Sequence, residues 1–348
     1  MGFIRSFSHI VDFTDTIDPA EIPAIVDDTA VKVVQTKSMP DPAAWGLLNS
    51  ELFSRRPDIE LRAYGFFNEV CDLLFLEQMS NVRQLSVNCM QTVTNIEAIG
   101  SMPQLEALTV GVYGLNSFEF LKTLPAEQIH TLSLEATESK KPDVSAISRF
   151  TNLKKLYIEG HQKGIEVLAQ VPCIEDLTLR SLSKIDLSIL QSLPRLTSLD
   201  IKLGGTVDLS PIAGMSQIKY LELWQIKGLS DISVISTLTG LQYLFLQSLI
   251  NVKILPDLNA LTALRRVYLD TMKGLQDISA LATAPALEEL YFSGIKFGTA
   301  DDHAWLMTLP TLKSLGMYYA SVADTGRSRE LAEAHGIKDY RQRPFVFV

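Results

Sequence analysis

A chain of 348 residues with 47% hydrophobic and 20% charged side chains lies far from the low-hydrophobicity, high-charge regime of disordered proteins, so it has a core to locate. Its formal charge of -9 is spread along the length and not gathered into an acidic tail, which speaks for solubility and against nucleic acid or an anionic membrane as the main partner. Single cores stop growing at roughly 250 to 300 residues, a limit that a repeat array escapes.

The opening residues, Met1 to Ser8, lack the basic start and apolar run of a secretory signal, and no stretch of about 18 apolar residues occurs, so a cytoplasmic protein is expected. Gly2 with Ser6 satisfies the short myristoylation pattern, which Met-Gly starts often meet by chance. Cys71, Cys89 and Cys173 have neither disulfide-framework nor zinc spacing; free thiols buried as small apolar residues in a reducing compartment fit them best.

Residues 1–66 read as an N-terminal cap. Val31 to Val34 and Ile59 to Tyr64 have strand composition, and Leu47, Leu48, Leu52 and Phe53 between them mark an amphipathic helix. Another helix is predicted from Asn68 to Gln78, leading into an array over residues 67–320. There the pattern L-x-x-L-x-L recurs, its central aliphatic residue falling at Leu85, Leu108, Leu132, Leu156, Leu177, Leu199, Leu221, Leu244, Val267, Leu290 and Leu315. The gaps of 21 to 25 residues lie inside the roughly 20- to 29-residue period of leucine-rich repeats.

Each motif alternates like a strand with one buried face; in Leu241 to Leu246, Leu244 and Leu246 point inward, Tyr243 and Phe245 outward. On the return path apolar residues come every third position, as in Leu229, Ile232, Ile235, Leu238 and Leu241, or Leu275, Ile278, Leu281, Ala284 and Leu287. That period suits short 3₁₀ or extended turns better than a full α-helix. The fold class is therefore α/β: a right-handed leucine-rich-repeat solenoid, horseshoe or arc, of about eleven repeats, with a parallel concave β-sheet and a convex side of short 3₁₀ turns or helices. No single coil buries enough to stand alone, so the ends need caps. At the C-terminal end, residues 321–348, Ser328 to His335 reads as a short helix stopped by Gly336, and Arg343 to Val348 as an edge strand begun by proline.

After each strand an Asp-aliphatic-Ser step recurs: Asp143-Val144-Ser145, Asp186-Leu187-Ser188, Asp208-Leu209-Ser210, Asp231-Ile232-Ser233 and Asp277-Ile278-Ser279, with Asp257-Leu258-Asn259 as a variant. Over roughly residues 70–320 the chain resembles the bacterial internalin-type leucine-rich repeat, whose pattern of strand and polar step this is. The resemblance implies a protein-binding scaffold, and the Asp residues are expected to cap convex turns by accepting from nearby backbone amides. It departs from that family where an asparagine ladder is usual: here stand Met90, Tyr113, Thr137, His161, Leu182, Gly204, Ile226, Leu249, Met272, Ile295 and Ala320. The turn interior is mainly apolar, so its backbone groups must find partners on neighbouring coils or in water. Secretion and wall anchoring, typical of internalins, are not implied.

The strand register sorts outward residues into three columns: one before the central leucine, one after it and one two residues further on. Aromatic residues gather in the C-terminal half, at Tyr220, Trp224, Tyr243, Phe245, Tyr268, Tyr291 and Tyr318, with Asp200, Glu222, Arg266, Asp270 and Glu289 expected as a charged rim. An aromatic cluster rimmed by charge has the composition of an interface hot spot, although aromatic side chains also favour strands for packing alone. The candidate partner-binding residues are Tyr220, Glu222, Trp224, Tyr243, Phe245, Arg266, Tyr268, Asp270, Tyr291 and Tyr318. The earlier half of the face is small and polar, with Ser86, Thr109, Thr131, Ser133 and Thr178. There the mixed signs of Lys154, Lys155, Arg180, Lys202, Glu135, Glu159 and Asp176 make no phosphate-binding stripe.

Catalytic motifs are absent: there is no Walker-type loop, no G-x-S-x-G and no Cys–His pair, and His9, His130, His161, His303 and His335 have no metal-ligand spacing. Asp301-Asp302-His303 opens a convex helix, where acidic residues suit the macrodipole. No catalytic residue, cofactor or metal is assigned. The leading expectation is a non-enzymatic module binding a protein, as a bacterial adaptor or an immunity-type inhibitor. A carbohydrate-binding protein using the same rings is the alternative, and an enzyme with an unrecognised site the third, disfavoured because about 28 residues after the last coil are too few for a catalytic domain.

Overall fold

The computed structural model describes residues 2–14, 16–36, 38–65 and 70–348, and of Cys89 and Met90 only the backbone. The chain divides into two compact units, Met1–Ile174 and Glu175–Val348.

The first unit holds β1 (Phe3–Phe7), β2 (Ile10–Phe13), β3 (Val33–Thr36), β4 (Glu60–Tyr64), β5 (Cys71–Asp72), β6 (Gln84–Met90), β7 (Val93–Thr94), β8 (Ala107–Val112), β9 (Thr131–Leu134) and β10 (Lys155–Glu159). β1 and β2 are antiparallel; from β2 the sheet runs parallel through β3, β4, β6, β8, β9 and β10, while β5 and β7 pair with each other. The two strands expected before residue 66 thus share the register of the repeats, with Val34 beside Leu61 and Leu61 beside Leu85. Between them, helix α1 (Pro42–Leu47) starts at Pro42 after Asp41, whose carboxylate accepts from Ala43 N, and continues as a π-turn, Leu48–Phe53. Leu48, Leu52 and Phe53 are buried, and Trp45 stacks on Phe75 at 3.9 Å.

The helix predicted from Asn68 to Gln78 is not observed over its described part, and Asn68 and Glu69 lie outside the described residues. Instead β5 leads into a 3₁₀ turn, Leu73–Gln78, opened by Asp72 Oδ1 accepting from Leu74 N at 3.0 Å. This is the same convex step as in later coils, with Asp72-Leu73-Leu74 standing three coils before the first Asp-aliphatic-Ser triplet at Asp143.

In the second unit β11 (Asp176–Arg180), β12 (Ser198–Lys202), β13 (Tyr220–Trp224), β14 (Tyr243–Gln247), β15 (Arg266–Asp270), β16 (Glu289–Ile295), β17 (Ser314–Tyr319) and β18 (Lys338–Asp339) pair consecutively and in parallel. Leu177, Leu199, Leu221, Leu244, Val267, Leu290 and Leu315 fall side by side, all buried. Five of the six returns between β11 and β17 carry 3₁₀ turns, as the period of three predicts, Leu187–Ser192, Ser210–Ile212, Ser233–Thr237, Ser279–Thr283 and Ala304–Thr308, and the one between β14 and β15 is extended and turn-like without one. The fold is a leucine-rich-repeat solenoid.

The missing asparagine ladder is replaced by backbone. Ser181, Leu203, Gln225, Ser248 and Thr271 end their strands with φ between 50° and 56°. A side chain in that left-handed region costs roughly 1 kcal/mol. It turns each N–H onto the next strand, where the carbonyls of Lys202, Trp224, Gln247, Asp270 and Ser293 accept at 2.8 to 3.1 Å. The following residue in four of these coils, Leu182, Ile226, Leu249 and Met272, is then free to be apolar and buried.

All the Asp-aliphatic-Ser steps are caps. Asp143, Asp186, Asp208, Asp231 and Asp277 accept from the amide two residues on at 2.7 to 2.9 Å, and Asp257 from Asn259 at 3.0 Å. Those amide bonds hold the carboxyls of Asp143, Asp231, Asp257 and Asp277 below the usual carboxylate range, and the Ser210 hydroxyl and amide do the same for Asp208. A depressed carboxylate pKa contributes stability that is present above the unfolded value and lost as pH falls through the folded one. Replacing Asp143, Asp231 and Asp277 together by alanine is expected to lower Tm by several degrees at neutral pH. The gap to the wild type should close as pH drops below about 4, as read by thermal denaturation across a pH series; a gap that stays constant to pH 2 contradicts the charged-cap reading.

At the C-terminal end α2 (Val322–Ala334) begins six residues before the predicted helix, capped by Ser321 Oγ, which accepts from Asp324 N, and Gly336 follows with φ +74°. The predicted edge strand over Arg343 to Val348 is a misreading: only Lys338–Asp339 pairs with β17, and residues 340–348 form no strand.

Candidate functional site

On the outer face of β11 to β17 the three expected columns are real rows of paired residues. Tyr220, Tyr243, Arg266, Glu289 and Ser314 form the first; Asp200, Glu222, Phe245, Tyr268, Tyr291 and Gly316 the second; Lys202, Trp224, Gln247, Asp270, Ser293 and Tyr318 the third. The aromatic residues among them are all half-buried. Phe245, Tyr268 and Tyr291 stack with centroids 4.5 and 4.2 Å apart and planes within 8° of parallel, and Tyr318 tilts against Tyr291 at 5.4 Å. Tyr220 meets Tyr243 edge-on at 5.0 Å, and Arg180 lies 5.3 Å from the Trp224 ring. Such ring pairs add about 0.5 to 1.5 kcal/mol each beyond the area they bury.

The expected charged rim is corrected by burial. Arg266 is 3% exposed and Glu222 9%. Arg266 donates from Nε to Glu289 Oε2 at 2.6 Å, and its guanidinium lies 5.1 Å from the Tyr243 ring, an ion pair on the floor of the face. Asp270 accepts from Gln247 Nε2 and Thr271 Oγ1 at 2.8 Å and from Ser293 Oγ.

Asp200 and Glu222 sit on adjacent strands with Lys202 Nζ 3.4 Å from Asp200 Oδ1 and 3.0 Å from Glu222 Oε2, while the Tyr220 hydroxyl donates to Glu222 at 2.7 Å. Burial, then the Glu222 carboxyl, pushes the Asp200 carboxyl up to about 8. Its buried Oδ1 accepts no hydrogen bond, an orphan atom that becomes satisfied when Asp200 is protonated and donates to Glu222.

The end of the chain crosses this face. The Tyr340 ring packs against Tyr291 at 5.3 Å and Tyr268 at 6.3 Å; Phe345 lies 5.3 Å from Tyr243 and Phe347 6.4 Å from Tyr220. Beneath it, Arg266 Nη1 donates to Arg343 O at 3.0 Å, Arg265 Nη2 to Val346 O at 2.6 Å, and Lys219 Nζ to Val348 O at 2.9 Å. The Gln242 amide makes a two-way clamp, Nε2 donating to Val348 O at 2.7 Å and Oε1 accepting from Val348 N at 2.9 Å. These side-chain partners replace the ladder that an edge strand would use. Lys219, Gln242 and Arg265 form a fourth row, one residue before the first column, which reading only three columns misses; three long donors at matching positions of successive repeats were its signal.

The polar face of the first unit is also occupied. Arg62 donates to Asn88 Oδ1 at 2.9 Å and stacks on Tyr64 at 4.2 Å, and Gly111 leaves the space that the Glu135 carboxylate fills. At the ladder position, buried His161 bonds Glu135 O through Nε2 at 3.0 Å and packs on Phe118, and burial lowers its pKa.

Asp301, Asp302 and His303 turn to separate partners, Arg327, Thr299 and the Tyr319 hydroxyl. Among the described residues no group of His, Cys, Asp and Glu side chains is arranged to hold a metal ion. Burial raises the Cys71 thiol to about 12, Cys173 is half-buried, and the Cys89 side chain lies outside the described residues. No helix among the described residues is long and apolar enough to cross a membrane.

No protein-family profile and no curated protein matches the chain. Solved structures do. An internalin, inlF, of Listeria monocytogenes is similar at TM-score 0.51 and 19% identity, over 95% of this chain and 91% of its own. A Leptospira interrogans leucine-rich-repeat protein is similar at TM-score 0.50 and 15% identity, over 94% and 93%. TLR13, in a complex with the RNA ssRNA13, matches at TM-score 0.50 and 13% identity over 89% of this chain, which spans 54% of that one. What these likenesses show is the fold, an internalin-like leucine-rich-repeat solenoid.

The Asp200 cluster makes a pH prediction. A carboxyl raised on folding contributes fully below its unfolded pKa, and that contribution is lost as pH rises through the folded value. Between pH about 4 and about 8 the wild type is therefore expected to lose stability relative to Asp200→Asn, which mimics the protonated acid. Urea denaturation at pH 4.5 and 8.5 reads the difference, and equal pH dependence in the two proteins refutes the shared proton.

Proposed function

We propose that this is a non-enzymatic protein-interaction module that grips a macromolecular partner on the concave face of the second unit, through Tyr220, Glu222, Trp224, Tyr243, Phe245, Arg266, Tyr268, Asp270, Tyr291 and Tyr318. A bacterial cytoplasmic adaptor and an immunity-type inhibitor are the roles this fits. One observation carries the reading: the half-exposed row of stacked rings Phe245, Tyr268, Tyr291 and Tyr318, held rigid by the ladder. Rigid aromatic anchors lose little entropy on binding, which is why hot spots are rich in them.

The same stacking argues against the carbohydrate alternative. A sugar packs on a free ring face, and the faces of Tyr268 are covered by Phe245 and Tyr291. Edges point outward, and edges suit apolar side chains. Base stacking on a nucleic acid needs a free face as well. The non-enzymatic reading is supported by the acids on this face, Asp200 and Glu222 being held by Lys202, Glu289 by Arg266, and Asp270 by Gln247, Thr271 and Ser293.

The test uses the chain as bait in its native host, beside a Trp224→Ala/Phe245→Ala variant, followed by affinity measurement on the captured protein. Loss of about 100-fold in affinity, several kcal/mol, is expected with Tm within a few degrees of wild type. A partner that binds both proteins equally removes the assignment.

A further inference from the structure

We infer that the first row of this face, with the donors beside it, is a groove for an extended peptide carrying a basic residue and two aromatic residues at every second position, and that residues 343–348 occupy it as a stand-in which the partner's segment displaces. This rests on the reading of the face as a docking surface and names the chemistry of what docks.

The segment is held as a peptide ligand is held. Four side chains, Lys219, Gln242, Arg265 and Arg266, bond its main chain at Arg343, Val346 and Val348, so the contacts are indifferent to sequence. Specificity comes from alternation. Arg343 pairs with Glu289 Oε1 at 3.2 Å, Phe345 packs between Tyr243 and the Arg265 and Arg266 guanidinium groups at 4.8 and 4.9 Å, and Phe347 meets Phe345 at 4.8 Å. Val346 between them is 75% exposed. Half-buried Phe345 is the residue that faces the sheet, while Arg343, its side chain 68% exposed, and Phe347, 45% exposed, reach Glu289 and Tyr220 with the two-residue period of an extended chain, the spacing at which alternate side chains are read.

The seat is incomplete, which makes it exchangeable. Phe347 is 45% and Val348 83% exposed, and a cleft of about 570 Å³ stays open between residues 342–345 and Tyr220, Glu222, Tyr243 and Phe245. Under the strap Gln242 is 6% and Arg266 3% exposed, so any segment that covers them in its place must also bring acceptors for them. A segment with larger or more numerous aromatic side chains fills the cleft, keeps every main-chain bond and releases the strap.

The experiment uses the full chain and a fluorescent hexapeptide with the sequence of residues 343–348. A Phe345→Ala/Phe347→Ala variant frees the groove. It is expected to bind the peptide at least 10-fold more tightly than the wild type does, and a peptide of equal composition with its two phenylalanines adjacent at least 10-fold more weakly. Adding Gln242→Ala and Arg265→Ala to that variant should abolish binding. In the wild type, saturating peptide should speed hydrogen exchange at residues 343–348, a measurement that needs no variant. Equal binding by freed and wild-type chains, indifference to aromatic spacing, or unchanged exchange each overturns the groove. Its failure is separable from failure of the docking surface: a Trp224→Ala/Phe245→Ala chain that still loses its captured partner leaves the surface standing without the groove, and one that keeps it removes the surface whatever the peptide does.

Discussion

The outer face exists because the parallel ladder of the second unit keeps strict register from coil to coil. In a strand, side chains alternate between faces, so a slip of one residue would exchange core and surface. The buried column from Leu177 to Leu315 pins that phase seven times over, and each pinned leucine makes its two neighbours face out. Strands in such a ladder are about 4.8 Å apart, which is close to the spacing of stacked rings. Phe245, Tyr268 and Tyr291, paired on successive strands, are therefore stacked by the register itself, at 4.5 and 4.2 Å. The left-handed residue ending each strand belongs to the same constraint, since its amide extends the ladder past the last outward side chain.

What repeats was legible in the sequence, and what does not repeat was not. The columns, the 3₁₀ returns and the Asp caps each recur at a fixed interval, so one chance match could be told from a pattern. The left-handed residues Ser181, Leu203, Gln225, Ser248 and Thr271 share a position but no chemistry, and only the backbone reveals them. The strands before residue 66 fell outside the repeat because their convex segment carries α1 in place of a 3₁₀ turn, which hides a common register. The path of residues 343–348 had no local signal: their hydrogen-bond partners lie 54 to 129 positions away, and alternating Phe345-Val346-Phe347-Val348 has the composition of a strand wherever it goes.

Burial also changed the meaning of the charges. Read as a rim, Asp200, Glu222, Arg266 and Glu289 would tune encounter rates and little else. As found, buried Arg266 pairs with half-buried Glu289, so removing Glu289 leaves a buried charge uncompensated, a loss that typically costs about 3 to 5 kcal/mol. For Asp200, burial and the neighbouring Glu222 carboxyl raise the pKa, and Lys202 Nζ stands 3.4 Å from it and 3.0 Å from Glu222, so the cluster is compensated within the face and not at its edge.

An aromatic row of this size on a free surface is an aggregation hazard unless something limits its exposure. Stacking hides the ring faces, and the strap hides the first row. These two devices differ in strength. The stacked rings rise from strands whose backbone is bonded on both sides, whereas the strap is held by side chains alone and leaves Val346 and Val348 mostly in water. Segments with few buried contacts open at low free energy while the scaffold beneath stays closed. A partner that supplies the same main-chain bonds and buries more aromatic area therefore competes against the strap alone and not against the fold, so its affinity depends on how far it outmatches Phe345 and Phe347 in a groove that is already formed.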